Sequence, residues 1–472
     1  MNHTPTAHKT AGARLAHFVA NTPVFPSKTT ISITRDALID TLGCILVGSR
    51  QPVAQKTQAT VAAWGQGQAP IFGTELSVAA PWAALANATA GHALDFDDWE
   101  IPGNSHSSVV IFPALLAVGA EAAAKGQSYS GKAILDAYIV GFEIIARIGE
   151  AVNFEHYDKG WHTTGTLAAV GAAAAVARLK GFNGEMTGHA LSLAVSQAVG
   201  YTTQFGSNAK PLQGGFAAKV GVVAAALAEQ GLTGQPHVLE SDKGFNMLLG
   251  HGDMARFWAV FDRWNGSGDD ASLALTEYGL VFKPYPSCGY THRAIDCALA
   301  MRQESRFDLN TISKIRVSLP DMHAGILPFQ QPTKRAEALF SIPFCVAQAL
   351  IYGGLGLADI EAERWEETAV RSLIAKTTLL VRQPKRPDLN YDADDPDWLE
   401  VELANGTILR TEVAFPLGAP QNRLSSEQIM AKFRGNAAFS VENEAVISAL
   451  AQWDTASDIN HVVNQIQYLS IA

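Results

Sequence analysis

The chain has 472 residues, of which 47% are hydrophobic and 17% are charged, and this composition excludes a disordered chain, which would be poor in apolar residues. The formal net charge is -10, with no run of Lys or Arg, so we expect no binding to nucleic acid or to an anionic membrane surface. The four cysteines lack C-x-x-C spacing and residues 1–14 lack an apolar core, which predicts a cytoplasmic protein without disulfides or a secretory signal.

The first half of the chain predicts one helix after another. Residues 34–47 place apolar side chains on one face at helical spacing, and Gly48 follows at the position of a helix cap. The next candidate helices are Ala-rich and interrupted by glycine: 81–95, 107–124, 131–151, 163–179, 186–200 and 215–230. Small side chains let helices approach closely, so we expect a tightly packed bundle with several helices buried all round.

The pattern changes after the Gly/Ser/Asp-rich stretch 265–272. Alternating apolar residues predict strands at 315–319, 399–403 and 407–413, with 377–382 as a further candidate and a helix at 341–352. Asn405-Gly406 is typical of a hairpin turn, because both residues tolerate a positive φ. This combination predicts an α+β domain with an antiparallel sheet. Helical patterns return after residue 425, so the C-terminus is expected to pack back onto the first domain.

A cluster of charged residues interrupts the apolar helical region between residues 92 and 100. It contains Asp95, Asp97 and Asp98, and His106 follows it. Carboxylates are costly to bury unless they are paired or used. Three interpretations therefore stay open: a divalent-metal site, acid/base chemistry with His106 as the base, or a solvated helix end.

Further basic residues stand in loops or at predicted helix starts. His162 precedes an Ala-rich helix, whose free N–H groups favour an anion, although a purely structural histidine is the alternative. Lys210 precedes another helix, and a segment kept non-helical by two prolines carries Lys283, Cys288 and Arg293. A nucleophilic Cys288 is disfavoured, since no Cys–His signature accompanies it. A pocket that collects the cations would bind a small di- or tricarboxylate.

The same segments resemble the MmgE/PrpD family, which includes 2-methylcitrate dehydratase, cis-aconitate decarboxylase and iminodisuccinate epimerase. The resemblance covers nearly the whole chain and is carried, in order, by GHALDFDDW with HSSVVIFPALLAVGA, GWHTTGTLAAVGAAAAVARLKGF, AKPLQGGFAAKVGVVAAALAEQGLTG and FKPYPSCGYTHRAID. It implies a mainly α fold, with a large all-α helical domain built from both chain ends (1–268 plus 419–472) and an inserted α+β lid domain (269–418). It also implies a homodimer and catalysis without a metal or an organic cofactor.

By position, the resemblance implies catalytic roles for five residues: Asp95, His106, His162, Lys210 and Lys283. His106, oriented by Asp95, is the expected acid/base, while the two lysines and His162 would bind carboxylates and stabilise an enolate. Four residues are expected to contact substrate: Trp99, where dehydratases commonly have Thr, Cys288, where a His is expected, Phe344, where a Tyr is expected, and Arg293.

The expected function is therefore a cofactor-free lyase that moves a proton α to a carboxylate of a small polycarboxylate. Dehydration of a 2-methylcitrate-like acid comes first and decarboxylation of a cis-aconitate-like acid is the alternative. An iminodisuccinate-type epimerase is a third possibility, because one scaffold can host all three reactions. From other classes, a Mg²⁺-dependent enzyme that uses Asp95, Asp97 and Asp98 and a non-catalytic helical binding protein stay open.

Overall fold

The computed structural model of the protein describes residues 10–437 and 444–467. The described residues fold mainly into α-helices, as the sequence predicts. The helices of the first half have the following bounds: α1 Ala11–Asn21, α2 Lys28–Gly48, α3 Pro52–Ala63, α4 Ala80–His92, α5 Ser108–Ala124, α6 Gly131–Val152, α7 Glu155–Asp158, α8 Thr163–Leu179, α9 Gly184–Val195, α10 Ala209–Glu229, α11 Phe245–Leu249, α12 Met254–Arg263 and α13 Ala274–Glu277.

The second half mixes shorter helices with most of the strands. Its helices are α14 His292–Met301, α15 Asp321–Ile326, α16 Arg335–Ala338, α17 Ile342–Tyr352, α18 Leu357–Glu361, α19 Thr368–Lys376, α20 Ser426–Ala437, α21 Glu444–Leu450 and α22 Ile459–Ile466. The strands of the chain are β1 Ala69–Pro70, β2 Ser77–Val78, β3 Ile312–Pro320, β4 Thr377–Arg382, β5 Asp397–Leu403 and β6 Ile408–Val413. All four strands predicted after residue 300 are confirmed.

The larger sheet is mixed, which corrects the predicted antiparallel sheet. Its strand order is β4-β3-β5-β6, and β3 pairs with β4 in parallel but with β5 antiparallel. A parallel neighbour needs a long crossover, and the connection from β3 to β4 supplies one, since it contains α15 to α19. The β5–β6 hairpin turns at Asn405-Gly406 as predicted, but only Gly406 of the two residues has a positive φ, of 83°.

Close helix crossings explain several of the glycines in the first half. Gly48 is the last residue of α2 rather than the cap after it, and a Cβ there would lie 1.9 Å from the carbonyl oxygen of Ala90. Gly141 of α6 and Gly171 of α8 face each other in the same way, each near the other's carbonyl oxygen. Helix α10 is long and apolar enough to cross a membrane, and 67% of its apolar window is buried against the rest of the protein.

The apolar core forms two large clusters. One joins the helices between residues 11 and 282 to residues 429–466 of the C-terminal helices, and the other gathers residues 281–419 with Trp99 and Tyr157. Helix α20 packs against α2, where Gly43 lies next to Phe433. The division at residues 268 and 419 and the lid role of the inserted part stay predictions. Residues 1–9, 438–443 and 468–472 of the predicted helical domain lie outside the described residues.

Candidate active site

The polar cluster lies on the segment that joins α4 to α5. Asp95 has a φ of 50°, a left-handed conformation that is uncommon outside glycine. Further along, both carboxylate oxygens of Glu100 accept backbone hydrogen bonds, from Gly103 at 2.8 Å and from Ser105 at 3.1 Å. Burial raises the pKa of Glu100 to about 8 against the effect of these bonds. They close the turn that leads to His106.

The start of α8 holds the same turn from the other side. The backbone N–H of His106 donates to Thr164 Oγ1 at 3.1 Å. The hydroxyl of Thr163 donates to the backbone carbonyl of Asn104 at 2.5 Å. Because both threonines belong to the first turn of a long buried helix, the position of His106 is set by the helical bundle.

Asp95 binds two lysines from distant parts of the chain. Lys210 Nζ lies 2.7 Å and Lys283 Nζ 2.8 Å from Asp95 Oδ1, and Lys283 also donates to the backbone carbonyl of Asp95. Burial alone would raise the pKa of Asp95, but the two ammonium groups lower it well below its ordinary value. Lys210 lies in the first turn of α10 rather than before it, where Pro211 needs no hydrogen-bond acceptor. The carboxylate therefore holds two cations side by side.

Asp97 lies between two imidazoles. Its Oδ2 is 2.9 Å from His92 Nδ1 and 2.9 Å from His106 Nδ1, whereas His106 Nε2 is 3.7 Å from Asp95. Asp97 rather than Asp95 is thus the carboxylate placed to orient His106, which corrects the expected pairing. Since His92 Nε2 also lies 3.2 Å from Lys210 Nζ, one continuous chain of contacts joins both lysines to His106.

Burial favours the neutral form of the three histidines of the site. Burial lowers the pKa of His106 to about 3, although Asp97 opposes the shift, and burial lowers the pKa of His162 well below its ordinary value. The pKa of His92 is lowered for the same reason. His162 Nδ1 lies 2.6 Å from the amide oxygen of Gln213. A neutral His162 therefore carries its proton on Nδ1, which leaves its Nε2 as an acceptor, and the nearby charge of Asp97 favours the same tautomer of a neutral His106.

These groups surround a small cavity that is partly open to solvent. It is lined by seven of the predicted residues: Asp95, Trp99, His106, His162, Lys210, Lys283 and Cys288. Burial and the nearby Asp95 raise the pKa of Cys288 to about 11. Its thiol is therefore a protonated wall group rather than a nucleophile.

Two predicted substrate residues do not line this cavity. Arg293 is buried on α14, where its Nε lies 2.9 Å from Asp397 Oδ2. Phe344 faces the second apolar cluster, with its ring edge-on to Trp365. Arg293 lies outside the cavity, where the buried carboxylate of Asp397 neutralises it. Phe344 also lies outside the cavity, because the face of α17 that carries it packs into the apolar core.

Six lining residues were missed by the sequence reasoning: Asn104, Tyr157, Phe205, Gly289, Tyr290 and Phe340. Asn104, Gly289 and Tyr290 stand inside or beside the motifs quoted above, so their neighbours His106 and Cys288 could have indicated them. Phe205 and Phe340 lie in apolar segments, and nothing in their local sequence distinguishes them from core residues.

The carboxylates do not assemble as the magnesium interpretation requires. The ligand atoms within 4.8 Å of one another belong to His92, Asp95, Asp97 and His106, and not to Asp98. Burial and Asp40 raise the pKa of Asp98 well above its ordinary value, which disfavours its charged, metal-binding form. Mg²⁺ prefers oxygen ligands free to point at it, whereas Asp95 Oδ1 already accepts from two ammonium groups. This donor set does not fit Mg²⁺.

Comparison with known proteins gives one family over most of the chain. The MmgE/PrpD N-terminal domain matches residues 13–257 and the MmgE/PrpD C-terminal domain matches residues 285–455. The cis-aconitate decarboxylase of Homo sapiens is 26% identical over 457 residues, which cover 93% of this chain and 88% of that protein. The cis-aconitate decarboxylases of Aspergillus terreus and Mus musculus are also 26% identical, over 84% and 89% of this chain and 83% and 85% of their own. These relatives favour the decarboxylase alternative over dehydration.

Proposed function

Because the chain belongs to the MmgE/PrpD family, we propose that this lyase removes CO2 from a small tricarboxylate resembling cis-aconitate, without a metal or an organic cofactor. The observation that carries the proposal is one buried cavity in which Lys210, Lys283 and His162 surround the acid/base candidate His106. The names of the relatives support decarboxylation over the dehydration of a 2-methylcitrate-like acid. Catalytic roles for these residues belong to the same proposal.

Substrate binding follows from the charges around Asp95. The single Oδ1 of Asp95 holds both ammonium groups within 2.8 Å, and each ammonium has donors left for a ligand. Hydrogen bonds between charged partners are about twice as strong as neutral ones. Lys210 and Lys283 therefore bind the carboxylates of the acid.

In the reaction, the carbon–carbon bond to one carboxylate breaks and CO2 leaves. The electron pair stays on carbon and spreads over the unsaturated acid toward a second carboxylate. Lys210 and Lys283 stabilise this developing charge, because fixed cations in a site without bulk water need no reorganisation. A proton is then added to carbon. One proton and a trianion thus give CO2 and an unsaturated dicarboxylate.

His106 supplies that proton in the proposal. Burial lowers its pKa to about 3, so in this proposal it gains a proton as the substrate binds. A bound trianion favours the imidazolium by direct charge attraction, and Asp97, 2.9 Å from Nδ1, stabilises it from the opposite side. Nε2, the atom that faces Asp95 and the cavity, is then the donor.

Proton NMR in D2O with EDTA present tests the proposal. The panel contains cis-aconitate, 2-methylcitrate, citrate and iminodisuccinate, each with the parent enzyme, with His106→Ala and with Lys210→Ala. We expect deuterium at carbon in a decarboxylated product of cis-aconitate, lost in both variants. The exposed histidine variant His237→Ala serves as the control and should keep full activity.

Other outcomes of the same panel are equally decisive. New vinyl signals from 2-methylcitrate without loss of CO2 would replace the proposal with a dehydratase. Deuterium exchange in iminodisuccinate would replace it with an epimerase. Activity that EDTA abolishes would contradict a metal-free reaction.

The homodimer and the cytoplasmic location stay predictions. Light scattering after size-exclusion chromatography tests the first, with twice the chain mass of 50.3 kDa as the expected result. A mass of one chain at all concentrations would contradict it.

A further inference from the structure

Asn104 lines the cavity two residues before His106 and is rigidly held. Its φ is 53°, in the left-handed region, and the residue is 6% exposed. The hydroxyl of Thr163 donates to its backbone carbonyl at 2.5 Å. A non-glycine residue in this conformation persists only where surrounding contacts determine it, and such positions often serve function.

The side-chain amide of Asn104 is oriented by two other residues. The hydroxyl of Tyr290 donates to Asn390 Oδ1 at 3.0 Å, which leaves Nδ2 of Asn390 as the donor. That Nδ2 donates to Asn104 Oδ1 at 2.7 Å and to the backbone carbonyl of Ile101 at 3.0 Å. The oxygen of the Asn104 amide is therefore the acceptor in this network, and its Nδ2 is the free end.

Nδ2 of Asn104 is buried and has no hydrogen-bond partner among the residues that the structure describes. A buried donor without a partner costs free energy, so in the wall of a ligand cavity it indicates an acceptor that the ligand supplies. We propose that Asn104 is a substrate-binding residue whose Nδ2 donates to a carboxylate oxygen of the bound acid, with Tyr290 and Asn390 as the positioning residues that fix its amide. The proposal rests on the proposed function, since its acceptor is a carboxylate of that substrate.

The amide gives the site a selectivity that the lysines lack. An ammonium group rotates freely and attracts any anion, whereas the N–H bonds of a fixed amide point to one place. An acid that lacks a carboxylate there leaves the donor unpaired and loses affinity. Asn104 thus selects a tricarboxylate over the dicarboxylate that lacks the carboxylate at this position.

Calorimetric binding of propane-1,2,3-tricarboxylate, with glutarate and methylsuccinate as the two dicarboxylates, tests the proposal. Asn104→Gly removes the donor and Asn104→Asp replaces it with an acceptor, and both residues tolerate a positive φ. We expect the tricarboxylate to bind about tenfold to a hundredfold more weakly to Asn104→Gly, the loss typical of one hydrogen bond to a charged group. Asn104→Asp should lose still more affinity for the tricarboxylate. In both variants the preference for the tricarboxylate over the dicarboxylate that lacks the carboxylate facing Asn104 should vanish.

Tyr290→Phe tests the positioning role, with Tyr285→Phe as the matched control. The hydroxyl of Tyr285 donates to Asp296 at 2.6 Å, and Tyr285 does not line the cavity. Tyr290→Phe should weaken tricarboxylate binding while leaving unchanged the binding of the dicarboxylate that lacks the carboxylate facing Asn104, and Tyr285→Phe should change neither.

The possible failures are distinguishable. Equal tricarboxylate affinity of the parent protein and both Asn104 variants, each folded by circular dichroism, would overturn the role of Asn104 alone. If the folded parent protein bound none of the three acids, the proposed function would fall, and this inference with it. Equal losses in the two tyrosine variants would overturn the positioning role.

Discussion

His106 Nδ1 lies 2.9 Å from Asp97 Oδ2, and the same oxygen lies 2.9 Å from His92 Nδ1. Burial would raise the pKa of Asp97, but the two imidazoles hold it well below its ordinary value. The carboxylate therefore stays charged, and its charge favours the tautomer of a neutral His106 that carries its proton on Nδ1. When His106 is protonated, the same carboxylate stabilises the imidazolium, as in other histidine–carboxylate pairs.

Asp97→Asn should lower kcat by about 10²- to 10⁴-fold with little change in KM, because a neutral amide neither fixes the tautomer nor stabilises the imidazolium. Asp95→Asn should instead raise KM, since Asp95 places Lys210 and Lys283 for carboxylate binding. Steady-state kinetics of both variants measure the difference. A larger loss of kcat in Asp95→Asn than in Asp97→Asn would return the orienting role to Asp95.

Binding of a tricarboxylate should take up a proton near neutral pH. His106 has a pKa of about 3 in the empty site, and a bound trianion raises it, so uptake occurs at any pH between the two values. Affinity should consequently fall as the pH rises through the pKa of the bound state. Calorimetry in two buffers of different ionisation enthalpy measures the uptake as a difference in apparent binding enthalpy.

The control for this measurement is His106→Gln, which keeps a polar side chain but cannot gain charge. Its binding enthalpy should not depend on the buffer. Equal uptake in the parent protein and in His106→Gln would assign the proton to another group, of which His162 and His92 are the nearest.

Cys288→Ala should retain activity within about tenfold, because a thiol with a pKa raised to about 11 is neither a nucleophile nor an efficient acid near neutral pH. Iodoacetamide should likewise inactivate the enzyme slowly, and substrate should protect it. Rapid and complete inactivation by stoichiometric reagent would contradict this prediction. Cys345→Ala, at a buried cysteine outside the cavity, is the matched control.

Much of the helical fold follows from local pattern. The segment predicted at 163–179 is α8 to the residue, and 131–151 ends one residue short of α6, because nearby apolar residues determine both helices and Ser130 caps the start of α6. The parallel pairing of β3 with β4 depends on how a long connection returns to the sheet, and no local pattern records that path.

Some features of the candidate site could likewise be predicted from the sequence, and others could not. Lys210 and Lys283 could be grouped from the sequence, because cations are conspicuous in apolar surroundings. The choice between Asp95 and Asp97 could not be made from the sequence, since the two stand only two positions apart and the left-handed turn at Asp95 separates their directions. Phe340 and Phe344 differ for a similar reason: Ser341 caps α17 between them, so one lies before the helix and the other inside its buried face.

Helix α20, in the C-terminal part of the chain, contacts the segment that joins α4 to α5 through Lys432. Its Nζ lies 2.7 Å from Asp40 Oδ1 on α2 and donates to the carbonyl oxygen of Phe96 at 2.6 Å. Phe96 stands between Asp95 and Asp97, the two carboxylates that organise the site. Lys432 is therefore placed to hold the turn that directs them, although it does not line the cavity.

Lys432→Met combined with Asp40→Asn should lower kcat more than about tenfold, since small displacements of catalytic groups are costly, and it leaves no unpaired buried charge to unfold the protein. Arg35→Met is the matched control. Arg35 also joins α2 to the C-terminal region, but its guanidinium binds Asp454, at 2.8 Å, rather than the segment that joins α4 to α5. The control should lower the melting temperature and leave kcat unchanged. Equal kcat in the double variant and the parent protein would limit Lys432 to a structural role. A lower kcat together with a changed pH dependence of kcat would connect Lys432 to the position of His106.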